Sequence, residues 1–113
     1  VLCFILLRLN EGMASCGYEA VALAITLFRG QGLDSYIMHR TGHNIGHNCH
    51  GIGANLDDYE THDVRRLLPG TMFSIEPGIY TQEYGVRLEY DVYITKDKKT
   101  KIFGPVPDKI LVI

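Results

Sequence analysis

The sequence predicts an α+β domain in which a helix near the start of the chain is followed by antiparallel strands. Two observations carry this reading. Residues 15–28 repeat apolar side chains at helical spacing, at Tyr18, Val21, Ala22, Ile25 and Phe28. From Met72 onward the apolar spacing changes to two, the period of a half-buried strand. A third observation bears on chemistry: four of the five histidines fall between His39 and His50.

The opening run, Val1 to Leu7, is apolar throughout. It is far shorter than the ~20 residues that span a bilayer. It has no basic stretch before it and no small-residue cleavage site after it, so it reads as a buried strand or helix end rather than a leader or a span. The first residue is Val, which leads us to expect that the 113 residues are not an intact translation product. In the helix, Ser15 can cap the N-terminus, Glu19 falls in the first turn, and Gly30 and Gly32 end it. Ser35 to Met38 is expected to be short and extended. The glycine- and asparagine-rich stretch from His39 to Asn55 reads as loop or short irregular strand. Asp57 to Leu68 is polar, with one helical turn expected before Pro69-Gly70.

Met72 to Glu76 alternates until Pro77-Gly78 breaks the pattern. Val86 to Thr95 then reads as one strand, with Val86, Leu88, Tyr90 and Val92 on one face and Arg87, Glu89, Asp91 and Tyr93 on the other. Lys96 to Lys99 is a charged turn leading to a last strand at Lys101-Ile102-Phe103. There is no repeat and no low-complexity tract.

An apolar fraction of 46% suits a core-forming chain of one domain or part of one. A net charge of -2 gives no basic field, which argues against nucleic acid as a partner. Three cysteines, Cys3, Cys16 and Cys49, are an odd number at irregular spacing and point to a reducing, cytoplasmic compartment rather than a disulfide framework. Cys49 is expected to be a small buried thiol, with ligation of a soft metal the less favoured alternative.

Imidazoles and carboxylates are the donors of hydrolytic dication sites holding Mn, Co, Fe or Zn. Glu76 and Glu89 are thirteen residues apart with a glycine-containing connection between them. Neighbouring antiparallel strands would bring both carboxylates to one sheet face. Paired carboxylates repel unless a proton or cation lies between them, and a dication shared with His43 meets that need. Taken singly, each glutamate reads as a solvated strand residue; their conjunction with the histidine cluster favours a site.

Three motifs in order carry a family resemblance: His39-Arg40-Thr41-Gly42-His43 continuing to His50, Leu68 through Tyr80 around Ser74-Ile75-Glu76-Pro77-Gly78, and Gly85-Val86-Arg87-Leu88-Glu89. The sequence resembles the C-terminal half of the pita-bread metallopeptidases, the superfamily of aminopeptidase P, proline dipeptidase, methionine aminopeptidase and creatinase. It looks most like the Xaa-Pro peptidase branch. The resemblance covers roughly Gly12 to Thr95. It implies a curved antiparallel sheet backed by helices, with residues 1–113 forming part of a catalytic domain.

The resemblance also implies roles. His43, Glu76 and Glu89 match metal ligands, with Glu89 bridging two divalent ions and Glu76 serving also as general acid and base. His39 and His50 match histidines that hold the substrate and stabilise the tetrahedral intermediate. Arg87 matches an arginine that orients the bridging carboxylate and contacts substrate. His47 has no role in the motif, and His62 reads as a surface residue. The implied activity is dimetal hydrolysis of N-terminal Xaa-Pro bonds in peptides by an aminopeptidase or dipeptidase, as a homodimer, away from membranes. Alternatives are a pita-bread module that binds peptide or protein without catalysis, a creatinase-like metal-free hydrolase, and an inert gene remnant. Two departures stand out. The acidic residue that usually follows the position of His50 is replaced by Gly51-Ile52-Gly53-Ala54-Asn55, which we read as a subgroup mark. The family's two aspartate ligands lie upstream, and Asp34 is the one aspartate before His39. The chain therefore holds three of the five expected ligands, and by itself is expected to be inactive.

Overall fold

The computed structural model describes residues 26–104. The apolar opening run and all but the end of the expected helix lie outside these residues. That end is present as a helical turn over residues 26–29. It stops where the glycines suggested. The Leu33 amide donates to the Phe28 carbonyl at 2.9 Å and the Gly32 amide to Arg29 at 2.9 Å. Gly32 takes a φ of 68°, the left-handed conformation that this terminator requires. The next segment departs from expectation. Asp34–Tyr36 is a short 3-10 turn rather than an extended run, closed by Tyr36 donating to Leu33 and Ile37 to Asp34. The chain has just reversed at Gly32, and a run of four residues has no alternation long enough to hold it straight.

Among the described residues six strands follow: β1 (Asn44–Ile45), β2 (Met72–Ile75), β3 (Gly78–Tyr80), β4 (Gly85–Arg87), β5 (Tyr90–Ile94) and β6 (Thr100–Phe103). They form a four-stranded antiparallel sheet in the order β1-β2-β5-β6 and a two-stranded sheet of β3 and β4. The core lies on one face of the larger sheet. Phe73 pairs with Val92 and Ile75 with Tyr90, and these four are buried with Leu56 and Ile94. The period-two pattern of Met72 to Ile75 and of Tyr90 to Ile94 is what places them there. Pro69-Gly70 forms the turn into β2, with Gly70 at a φ of 89° and the Thr71 amide donating to Leu68 at 3.2 Å.

The strand expected from Val86 to Thr95 is broken in two. β4 and β5 belong to different sheets, and Leu88 and Glu89 between them are unpaired. Alternation continues across the break, so the side-chain pattern does not reveal it. The cause lies in the partner strand, where Pro77 has no amide to donate to a ladder. Val86 and Leu88 are exposed, whereas Tyr90 and Val92, in the same alternation, are buried.

The helical turn expected before Pro69-Gly70 is absent. The segment bends around a buried carboxylate instead. Asp57 Oδ1 accepts from the amides of Tyr59 and Glu60, and Oδ2 accepts from the amide and hydroxyl of Thr61, at 2.8–3.0 Å. An aspartate that captures three successive amides competes with helix formation and wins here. A second buried carboxylate, Asp63, accepts from the Asn55 amide at 2.8 Å and from the Arg65 guanidinium at 2.6 and 2.9 Å. The Arg65 guanidinium, helped by the Asn55 and Arg65 amides, holds the Asp63 carboxyl well below its ordinary value of 3.8 despite the opposing effect of burial. A depressed folded value means the stabilisation is complete above about pH 4 and is lost as pH falls through 3.8 toward the folded value. Asp63→Asn is therefore expected to lower stability at pH 7 by about 1–2 kcal/mol, allowing for the half-exposed guanidinium. In urea melts the gap from the parent chain should close as pH is taken below about 3.8.

Candidate metal centre

The register of the strands assembles the site. Residues 41–45 run antiparallel to β2. The Glu76 amide donates to the Thr41 carbonyl at 2.7 Å and the Ser74 amide to the His43 carbonyl at 2.9 Å, continuing the pairing of Asn44 with Phe73. His43 thus stands opposite Ser74. Across the sheet, β2 meets β5 with Ile75 opposite Tyr90, and β3 meets β4 with Gly78 opposite Arg87. Both ladders have the same register, so Glu76 and Glu89 face each other in the gap between them. Counting by twos, His43, Ser74, Glu76 and Glu89 share the face opposite the Phe73 and Ile75 side chains.

Hydrogen bonds then fix the details. His43 is buried, and its Nδ1–H donates to the Asn44 carbonyl at 3.1 Å. That leaves a lone pair on Nε2, which lies 3.3 Å from Glu76 Oε1. A backbone carbonyl that sets the tautomer in this way is a familiar partner of ligating histidines. The Ser74 hydroxyl accepts from the His43 amide at 3.0 Å and donates to Glu76 Oε1 at 2.9 Å. The arrangement aims a lone pair at an anionic oxygen, and such a pair needs a proton or a cation between its members. Arg87 reaches Glu76 Oε2 with one nitrogen and Glu89 Oε2 with the other, each at 3.9 Å. A guanidinium astride two facing carboxylates offsets their repulsion. Glu76 is largely buried, and Glu89 is half exposed.

The remaining histidines divide. The His50 ring packs edge-on against His43, with centroids 4.3 Å apart. His39 lies against the smaller sheet. Its Nδ1–H donates to the Arg40 carbonyl at 2.7 Å, and Nε2 accepts from the Tyr80 hydroxyl at 2.8 Å. Gly78 makes room for this contact, since a Cβ there would stand 2.7 Å from His39 Nε2 and from the Tyr80 hydroxyl. His47 is exposed. His62 pairs with Asp58 at 2.7 Å on the surface, apart from the others. Cys49, expected to be buried, is exposed. It sits in the run of bends after β1, where residues 46–50 are all exposed.

Sequence reasoning missed Asn44, Ser74 and Tyr80 as site residues. Asn44 is the hub of the histidine loop. Its side chain donates to the Met72 carbonyl at 3.0 Å and accepts from the Gly53 amide at 2.9 Å, while its amide donates to Asn55 Oδ1 at 2.8 Å. The one signal available for Ser74 was its period-two offset from Glu76. Asn44 and Tyr80 draw their partners from distant parts of the chain.

Comparisons with known proteins bear on the family and the fold. A Xaa-Pro dipeptidase of Lactobacillus delbrueckii subsp. lactis is 38% identical over 91 residues, covering 78% of this chain and 23% of that protein. The crystal structure of an X-Pro aminopeptidase from Thermotoga maritima superposes with a TM-score of 0.75 at 27% identity, covering 96% of this chain and 32% of that one. An X-prolyl aminopeptidase from Caenorhabditis elegans, described as a cytosolic enzyme with a di-nuclear active site, superposes with a TM-score of 0.60 at 25% identity, covering 87% of this chain and 18% of that one. The chain thus spans less than a third of the length of each. The antiparallel sheet is that of the α+β pita-bread fold these structures share. Its motifs, its fold and a match of residues 9–96 to the model of metallopeptidase family M24 together show that the chain belongs to that family.

Proposed function

We propose that this chain supplies part of the active site of a dimetal peptidase that hydrolyses N-terminal Xaa-Pro bonds. One observation carries the reading: His43 Nε2 faces Glu76 Oε1 at 3.3 Å, with Glu89 opposite Glu76 on the same sheet face. An imidazole and two carboxylates suit divalent Mn, Co, Fe or Zn. His43 would hold an ion through Nε2, and Glu76 and Glu89 through their carboxylates. Divalent ions bound there lower the pKa of a water and polarise a carbonyl.

The chain's own groups do the rest. Glu76 accepts a proton at its carboxylate from the attacking water and delivers it to the leaving amine. The Ser74 hydroxyl holds Oε1 in place for that exchange. His50, beside His43, is the donor for the oxygen on which charge develops, while His39, whose two ring nitrogens are engaged by the Arg40 carbonyl and the Tyr80 hydroxyl, helps to hold the substrate. Arg87 keeps the two carboxylates together and reaches the substrate side. Peptides are the substrates, as the family implies. A homodimer, as the resemblance implies, completes the reading, and a cytoplasmic place for it is supported by the Caenorhabditis relative described as cytosolic.

The same reading makes the 113 residues inactive by themselves, because the upstream carboxylate ligands are not among them. The test is an assay with Mn or Co on Xaa-Pro dipeptides and tripeptides. The purified chain should match its Glu89→Ala control. The chain joined in one polypeptide to the preceding half of the domain should turn over, and its Glu89→Ala version should not. Turnover by the chain alone above its control overturns the division of ligands. No Xaa-Pro hydrolysis by the joined protein overturns the function.

A further inference from the structure

The loop that carries His50 brings a second kind of donor to His43. Ligand atoms of His43, Cys49 and His50 all lie within 4.8 Å of one another. Donors at about 2.0–2.3 Å from a tetrahedral zinc ion stand roughly 3.3–3.8 Å apart, so a closure of about 1 Å brings the three to bonding distance. Two of them are free to make that movement. Cys49 and His50 are exposed in the bends after β1, whereas His43 is buried and anchored through Nδ1.

The loop is shut at its base. The Gly51 amide donates to the Asn44 carbonyl at 2.7 Å, the Gly53 amide to the Asn44 side chain at 2.9 Å, and the Gly46 amide to Asn48 at 3.1 Å. Gly51 packs so closely on the Asn44 side chain that a Cβ there would overlap it. These contacts hold residues 46–50 above His43, so the cysteine does not approach the histidines by chance encounter of a long loop. A thiol beside two imidazoles is a soft donor set, unlike the oxygen-rich set at Glu76 and Glu89.

We propose that His43, Cys49 and His50 form a sulfur-containing site for a single zinc-like dication, with the fourth position open to solvent. Cys49 loses its thiol proton to solvent on binding and ligates as thiolate. His43 belongs to this site and to the carboxylate site, so the two are mutually exclusive. An ion held on Cys49 draws Nε2 of His43 away from Glu76 and takes His50 from the substrate side. Such an ion acts as an inhibitor of the hydrolytic centre. That consequence rests on the proposed roles of His43 and Glu76; binding of the soft ion does not.

Cobalt(II) reads the site directly, because a cysteine thiolate gives it a charge-transfer band in the near ultraviolet. The purified chain should develop that band, and Zn(II) should compete it away. Cys49→Ser should abolish the band, and its zinc affinity, measured against a chromophoric chelator, should fall by about tenfold or more. Cys49 is exposed, so this variant keeps the fold, as circular dichroism will check. Glu89→Gln should retain the band. Absence of the band in the parent chain, its persistence in Cys49→Ser, or unchanged zinc affinity in that variant overturns the site. Mn(II) binding, followed by its electron paramagnetic resonance, separates the two readings. Mn(II) should weaken in Glu89→Gln and not in Cys49→Ser. Unchanged Mn(II) binding in Glu89→Gln counts against the carboxylate centre alone, while the cobalt band still decides the sulfur site.

Discussion

Glu76→Gln, made in the joined polypeptide that tests the proposed function, is expected to lower kcat by about 10²–10⁴-fold. Glutamine has the shape of glutamate, and its amide oxygen can still accept from the Ser74 hydroxyl, which Glu76 Oε1 now does at 2.9 Å. The fold should therefore survive, with a melting temperature close to that of the parent. Two properties are lost. The amide nitrogen cannot accept a proton from water, and the group no longer carries the negative charge that answers the His43 side of the centre. Steady-state kinetics on an Xaa-Pro dipeptide, with metal content measured on the same samples, separates these effects. A fall in kcat larger than the fall in metal content assigns Glu76 to proton transfer as well as ligation. A kcat within about threefold of the parent removes Glu76 from the proton path.

Gly42→Ala is expected to destabilise the chain by about 3 kcal/mol or more. Gly42 is buried between two stretches of backbone. On one side it exchanges hydrogen bonds with Leu56, at 3.1 and 3.0 Å. On the other, a Cβ would overlap the carbonyl oxygen of Ser74. Backbone cannot rotate out of the way as a side chain can, so residues 41–43 would have to leave β2. The bonds from Ser74 to His43 and from Glu76 to Thr41 would lengthen or break, and His43 would move off Glu76. Urea denaturation should show a lower midpoint, and Mn(II) affinity should drop with it. A midpoint unchanged from the parent would show that the segment can shift without cost.

The sequence made the strands legible where packing is local. Phe73, Ile75, Tyr90 and Val92 advertise one buried face through their spacing, and the structure puts them on it. Gly32, Pro69 and Gly70 mark turns because their backbone preferences act within a few residues. What remained hidden depends on partners elsewhere in the chain. The gap at Leu88 and Glu89 is caused by Pro77 on the facing strand, not by anything in the alternating run itself. The bend after Asp57 comes from one side chain capturing amides that would otherwise start a helix. At the candidate centre, the histidines and glutamates were visible as donor types in family motifs. Asn44 and Tyr80 were not, because their contacts to Met72, Gly53 and His39 exist only after the sheet has formed. Cys49 was misjudged on the general habit of thiols to be buried, since the loop that lifts it out is held by those same long-range bonds.

The shared register of the two ladders also determines where the chain can tolerate a change of length. Glu76 and Glu89 are brought face to face by the two arms of one hairpin, which closes through residues 81–84. At its tip the Thr81 amide donates to the Tyr84 carbonyl at 2.8 Å. Extra residues at that tip would lengthen the loop and leave the pairing of Gly78 with Arg87 and Ile75 with Tyr90 as it is. One extra residue between Glu89 and Arg87, by contrast, would turn either Glu89 or the whole of β4 to the opposite face. The tip is thus open to elongation, grafting and natural drift, while the short arms behind it act as a ruler that admits no change of a single residue.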